Sequence, residues 1–402
     1  TIHAKDDIFG FLIQDQDNTA LAPALVPGGL LSVQNANATK IVTHEVQLAS
    51  NFESDLSYVV GAYYQQEELN SVTVLGFNFG NLPRPPSTRD VESLAYFGNA
   101  TYEFTDQWSA SLGVRYTEDE KQGQNNEFSG IKTFDEWTWS SKLMYQIDAD
   151  KMLYFAYDKG FKSGGVNSRF STCNSATGVG CIPAEFAIWD PETTFNYEVG
   201  LKSEWLDNRL RFNAAVFFQT YEDFQTRLQF VEQAQTITYN ATEVESKGIE
   251  LEFTAIATDN LTLSGALAYI QSEYKDFDSA PCATPTSPGC VNGAQDLSGR
   301  TLDHAPELTF NVAAEYRDTL SGGNGAEWFA RLDTSYKDDQ NLMDLQPPET
   351  EVDGYTLVNA RVGLESAGTW KLTLWADNLT DEEYITDSIY SSNGLTRIPG
   401  LE

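Results

Sequence analysis

The stretch FNYEVGLKSEWLDNRLRFNAAVFFQTY, residues 195 to 221, limits the possible folds more than any other part of the chain. Phe195, Tyr197, Val199, Leu201 and Trp205 fall at every second position, with Asn196, Glu198, Lys202 and Glu204 between them. After Leu206-Asp207-Asn208 the alternation resumes, with Leu210, Phe212, Ala214, Val216 and Phe218 set against Arg211, Asn213, Gln219 and Tyr221. A period of two marks a strand whose faces meet different solvents. The hairpin either lays one face on a protein core, or has lipid outside and a wet lumen inside.

Strand length and repetition favour lipid. Soluble strands cluster near five or six residues, whereas a tilted strand crossing a bilayer needs about nine to eleven. The runs 195–205 and 209–221 meet the longer requirement. Similar hairpins recur at VQLASNFESDLSYVVGAYY, YFGNATYEFTDQWSASLGVRY, WSSKLMYQIDADKMLYFAY, IELEFTAIATDNLTLSGALAYI, the region 308–336 and YTLVNARVGLESAGTWKLTLWADNL. Together they predict about fourteen strands, and the first forty residues have room for one more.

The connections alternate between short and long. Asp106-Gln107, Asp148-Ala149-Asp150, Asp207-Asn208 and Thr258-Asp259-Asn260 are tight turns, while roughly 69–90, 161–192, 278–303 and 339–353 are long. Outer-membrane barrels segregate their loops in this way, with short turns in the periplasm and long loops outside the cell. The predicted fold is therefore all-β, a transmembrane antiparallel barrel with its alternate apolar positions in lipid. No apolar run approaches the ~20 residues of a spanning helix, which a barrel does not need.

Lys and Arg number 25 against 59 Asp and Glu, a formal charge of -34. Nucleic acid is thereby excluded as a partner, since phosphate contacts need clustered bases. The four cysteines form two local pairs, Cys173/Cys181 and Cys282/Cys290, in Gly/Ser/Thr/Pro-rich stretches. Zinc would call for closer spacing and histidine partners. Two disulfides stapling long loops, in an oxidising compartment, are the expectation.

Five segments resemble one family. YFAYDKGFKSGGVN (154–167) is similar to the Tyr-rich strand and Gly-rich loop entrance of TonB-dependent outer-membrane receptors. PETTFNYEVGLKSEWLDNRLRFNAAVF (191–217) resembles the hairpin that follows it, and SKGIELEF (246–253), HAPELTFNVAAEY (304–316) and LWADNLTDEEY (374–384) resemble later strands. The resemblance implies a twenty-two-stranded barrel with a plugged lumen. It also implies active import of a scarce nutrient, with an iron chelate or siderophore first among candidates, energised through TonB.

Residues 1–402 are accordingly expected to be one β-barrel segment of a larger receptor. The plug domain that contacts TonB and the last strand with its terminal aromatic are not recognisable in the chain. Thr1 opens without a signal peptide, and Glu402 follows Ile398-Pro399-Gly400-Leu401 with no closing strand. The expected partners are TonB, through the plug, a small-molecule ligand, and outer-membrane lipid with lipopolysaccharide. Two other readings share the barrel: a passive porin, and a surface adhesin or assembly component that uses the long loops.

Nothing in the sequence suggests catalysis or a cofactor. His3, His44 and His304 are scattered, with no nucleophile or metal-ligand spacing near them. Ser321-Gly322-Gly323-Asn324-Gly325 lacks the lysine and the helix of a phosphate loop. The acidic runs TEDE (117–120), DDQNLMD (338–344) and PETEVD (348–353) read as solvated loop surface. By parity Arg115, Glu198, Lys202, Arg211 and Glu250 face the lumen, as do Glu252, Asn311, Glu315, Arg331 and Asn359. They are expected to line the wall or touch the plug, and no ligand-binding residue is singled out.

Overall fold

A computed structural model of the chain describes residues 30–51, 54–77, 80–83, 86–124, 129–167, 184–230, 235–282, 289–322, 325–342, 350–366, 368–391 and 394–400. Fourteen long strands follow one another in an antiparallel sheet in which each pairs with its sequence neighbours. They are β1 (Leu30–Ala49), β2 (Leu56–Phe77), β3 (Ser87–Glu103), β4 (Trp108–Gln124) and β5 (Ser129–Asp148). Next come β6 (Lys151–Lys162), β7 (Glu192–Trp205), β8 (Leu210–Glu222), β9 (Glu243–Ile256) and β10 (Leu261–Asp276). The last are β11 (Leu308–Thr319), β12 (Ala326–Lys337), β13 (Tyr355–Ser366) and β14 (Trp370–Ala376). The path runs openly from β1 to β14, and these two strands do not pair with each other among the described residues.

Register fixes the two faces. Val199 lies opposite Val216, which lies opposite Ile249, while Lys202 lies opposite Asn213, which lies opposite Glu252. The apolar set therefore shares the outer face and the polar set the inner one, because directly opposed residues point the same way. Outer side chains such as Leu48, Val216, Leu332 and Leu374 are exposed. A soluble monomer rarely leaves so continuous an apolar surface uncovered. It is the surface that the wall of a membrane-spanning barrel presents.

Aromatic residues mark the limits of that layer. On the outer face Trp108 and Tyr116 are eight residues apart, and so are Trp137 and Tyr145, Tyr197 and Trp205, and Trp328 and Tyr336. Cross-strand packing links them within each level: Trp108 on Tyr145 at 4.6 Å and Tyr316 on Trp328 at 5.3 Å below, Tyr116 on Trp137 at 5.1 Å and Tyr157 on Tyr197 at 4.7 Å above. Eight residues of strand cover about 26 Å. Tilted by ~40°, they rise about 20 Å, and the rings beyond each end bring the layer close to the ~25 Å apolar band flanked by aromatic girdles.

The tight turns at residues 106–107, 149–150, 207–208 and 258–260 all lie at the lower end. Leu206, Asp207 and Asn208 take φ of 57°, 54° and 65°, a left-handed run that reverses the chain in minimal length. At the upper end two expectations are corrected. Residues 69–90 are mostly strand: β2 continues to Phe77, Gly80–Pro83 pairs back on Val74–Phe77, and β3 starts at Ser87. The β-branched run around Val72 and Val74 sustains pairing well above the girdle. TEDE likewise lies within β4, with Glu118 and Glu120 outside and Thr117 and Asp119 inside, so it is wall and not loop. Residues 223–242, not anticipated as a long connection, carry a hairpin pairing Gln225–Phe230 with Gln235–Asn240.

Candidate functional site

The densest apolar packing among the described residues lies in the upper loops. Val244 and Leu297 are fully buried there with Ile237, Tyr274, Phe277 and Ala280, drawn from the connections after β6, β8 and β10 and the strand ends beside them. A single-layer sheet has no interior of its own, so these loops build one. Cys282 and Cys290 are joined by a disulfide within this region, their Cα atoms 5.8 Å apart. Cys173 and Cys181 lie outside the described residues. Ser298 accepts the Phe277 N–H at 2.9 Å, and its own N–H and hydroxyl hold the Asp296 carboxyl below the usual range.

Polar side chains tie the loops to the rim. Gln225 donates its backbone N–H to Glu192 Oε2 at 2.6 Å and its amide to the carbonyls of Lys162, Ser163 and Asp190 at 3.1 Å. Asn167 donates to the carbonyls of Phe186 at 2.6 Å and Thr238 at 2.9 Å. Asn240 donates to the carbonyls of Asp190 and Asp223. The Asn167 and Asn240 amides each satisfy carbonyls from the connections after both β6 and β8, and Gln225 reaches from the second connection to the first.

The segment KSGGVN turns inward. Gly165–Val166 pairs with Ile188–Trp189 in a short ribbon that packs on the inner face of β4 and β5. A Cβ at Gly164 would overlap Phe134, and one at Gly165 would overlap the Trp189 indole. The two glycines let backbone lie flat against aromatic rings. Between this ribbon and the wall is a cavity of about 340 Å³, lined by Gln65, Glu67, Arg89, Asp119, Lys121 and Trp189 among others. It lies above the upper girdle. Burial pushes the Lys121 ammonium below its ordinary range, while Asp119 pulls it back up.

Register places the ten residues assigned by parity on this same inner face. Lys202, Asn213, Glu252, Ala266, Asn311 and Ser335 form one continuous cross-strand row. That row and Glu250 border a hollow of about 400 Å³ at mid-height. Glu198 accepts the Tyr154 hydroxyl at 2.5 Å, and Arg115 donates to Thr117 at 2.9 Å with its guanidinium 5.6 Å from the Tyr63 ring. Arg211 pairs with Glu204 at 2.8 Å.

Lower down, Arg331 bridges Asp333 at 2.7 Å and Glu315 at 3.6 Å, and Arg317 bridges Glu315, Glu327 and Glu365. Arg361 and Lys371 complete the network through Asp333 and Glu365, so acids and bases balance. Asn359 accepts the Asn378 N–H at 2.8 Å. None of these groups has nucleophile–base geometry, and no cluster of His, Cys, Asp or Glu able to hold a metal occurs among the described residues.

Residues 7–379 match the family model "TonB dependent receptor-like, beta-barrel". The chain is 26% identical over 329 residues to the probable TonB-dependent siderophore receptor PiuA of Acinetobacter baumannii, a match covering 79% of this chain and 40% of that protein. It superposes on the crystal structure of the siderophore receptor PiuA from Acinetobacter baumannii with a TM-score of 0.73 at 18% identity, covering 93% of this chain and 56% of that one. For the ferric yersiniabactin uptake receptor FyuA from Yersinia pestis the TM-score is 0.71 at 17% identity, covering 93% and 55%. The chain thus spans about half the length of these solved receptors. An apolar band between aromatic girdles, a polar inner wall, the matched model and the shared fold lead to one assignment: the chain belongs to the TonB-dependent receptor family, as β-barrel wall in the outer membrane of Gram-negative bacteria.

Proposed function

We propose that this chain forms most of the barrel of a receptor that imports a scarce nutrient, an iron chelate, across the outer membrane with energy supplied through TonB. The observation that carries this reading is the inward ribbon of residues 165–166 and 188–189, pinned to the upper inner wall beneath a packed set of loops. A passive pore gains nothing from a ribbon seated on its inner wall. A receptor that captures a dilute ligand needs such a preorganised surface, because ordering loops on binding costs affinity. The names of the relatives, a siderophore receptor and a ferric yersiniabactin uptake receptor, support iron chelates as the cargo class. A plug and the remaining strands are proposed to complete the barrel, with lipid and lipopolysaccharide around it.

The test is iron-limited growth of a deletion strain against a panel of ferric chelates, repeated in cells lacking TonB. Import through the receptor requires that at least one chelate restore growth only when both the receptor and TonB are present. Uptake that persists without TonB would establish the porin reading, and loss of surface attachment with no nutrient defect would establish the adhesin.

A further inference from the structure

The cavity beneath the inward ribbon holds an acid and a base that attract each other without a hydrogen bond or ion pair between them. Asp119 and Lys121 lie two residues apart on β4, so both side chains point inward about 7 Å apart along the strand. Asp119 is only 9% exposed, yet its carboxylate makes no hydrogen bond and no ion pair within 4.0 Å among the described residues, and neither does Lys121. Arg89 is taken up by Glu67 at 3.3 Å. Trp189 lines the same cavity with its indole N–H buried and unpartnered, and Gln65 lines it with its carbonyl already accepting the Tyr63 hydroxyl at 2.6 Å. Leaving a buried charge unpaired is costly. Here two opposite charges stand side by side without meeting, in a space large enough for a small molecule.

We infer that this cavity is a subsite for an α-amino-acid-type group, its ammonium held by Asp119 and its carboxylate by Lys121. A single cation would leave Lys121 unmatched, and a single anion would leave Asp119 unmatched. A zwitterion satisfies both and brings no net charge into the cavity. The inference goes beyond the import reading, because binding at the cavity is measurable without transport.

The test is calorimetry on the purified, folded receptor that carries this chain, with L-alanine as the zwitterion, L-alaninamide as the cation and N-acetyl-L-alanine as the anion. L-alanine is expected to bind at least tenfold more tightly than either single-charge probe, a charge-assisted hydrogen bond being worth about that much. Asp119→Asn should remove the advantage of L-alanine over N-acetyl-L-alanine, and Lys121→Met its advantage over L-alaninamide. The comparison of the three probes on the unaltered receptor tests the site even where a charge variant fails to fold. A chelate ending in a free α-amino acid that competes with L-alanine would make the cargo the source of the group, and failure to compete would make it a separate small ligand. Absence of L-alanine binding, or equal binding of the three probes, overturns the proposal.

Discussion

The indole of Trp189 lies directly on Gly165, and together they fix the ribbon that narrows the upper lumen. The contact has no slack. Gly165→Ala puts a methyl group into the ring, and overpacking of this kind costs about 1–3 kcal/mol. The ribbon is expected to detach while the barrel stays folded. The heat-modifiable mobility of the barrel on gels should be unchanged, and the tryptophan emission should shift to the red. An unchanged emission spectrum would mean that the seat is not what holds the ribbon.

A second expectation concerns the balanced charges at the foot of the wall. Arg331 is the hub between Glu315 and Asp333, and its side chain is 31% exposed. Screening keeps such pairs modest. Arg331→Met should lower stability by about 1 kcal/mol, and Asp333→Leu should cost less in that background than alone, because Asp333 then keeps only Arg361 at 3.8 Å. Urea titration of the single and double variants measures the coupling, and strict additivity would show that the network contributes nothing jointly.

The strands were legible because alternation is a local property, written into each run of residues such as 195–205. Parity also placed Lys202, Asn311 and Glu315 on the inner face without any knowledge of their neighbours. What the sequence did not reveal depends on residues far apart in the chain. The ribbon seat needs Phe134 and Trp189, on opposite sides of β6, and the Gln225 clamp joins connections on either side of the β7–β8 hairpin. The family-like motif KSGGVN was recognisable as a string, but its glycines have a role only when those rings are in place. The roles of Asn240, Asn260 and Asn378 are equally hidden in the sequence. In the fold their amides donate to loop and turn carbonyls, Asn260 to Arg317 at 2.7 Å and Asn378 to Glu382 at 3.1 Å.

The disulfide expectation is a matter of pairing. Cys282–Cys290 closes a loop with a sequence separation of 8, so its effect on the unfolded chain is at most about 2–3 kcal/mol. Mass mapping of non-reduced peptides should recover Cys282 with Cys290 and Cys173 with Cys181. Crossed pairing or free thiols would refute it. Reduction should loosen the loop cluster around Leu297 and leave the wall intact, visible as faster proteolysis of the loops with no loss of barrel mobility.

The lipid-facing assignment makes the sharpest demand, because the two faces of one strand should answer differently to the same kind of change. On β8, Phe212, Ala214 and Val216 face outward, while Arg211 and Asn213 face inward. Ala214 lies halfway between the girdles: its partner Leu201 is four residues from both Tyr197 and Trp205. Arginine at that depth costs about 2–4 kcal/mol, and less toward either interface. Ala214→Arg should therefore damage folding more than Val216→Arg, which sits two residues nearer the upper girdle. Phe212→Leu should be nearly neutral, since lipid has no fixed shape to fill, whereas truncating a large side chain in a packed core to alanine costs about 3–5 kcal/mol. Asn213→Ser loses only its contact with Glu252 Oε2 at 3.3 Å and should fold normally. Heat-modifiable gel shifts and urea midpoints of these four variants, taken together, give the depth profile. Equal sensitivity of both faces, or a Phe212→Leu loss of core magnitude, would remove the lipid from one side of the sheet and with it the barrel.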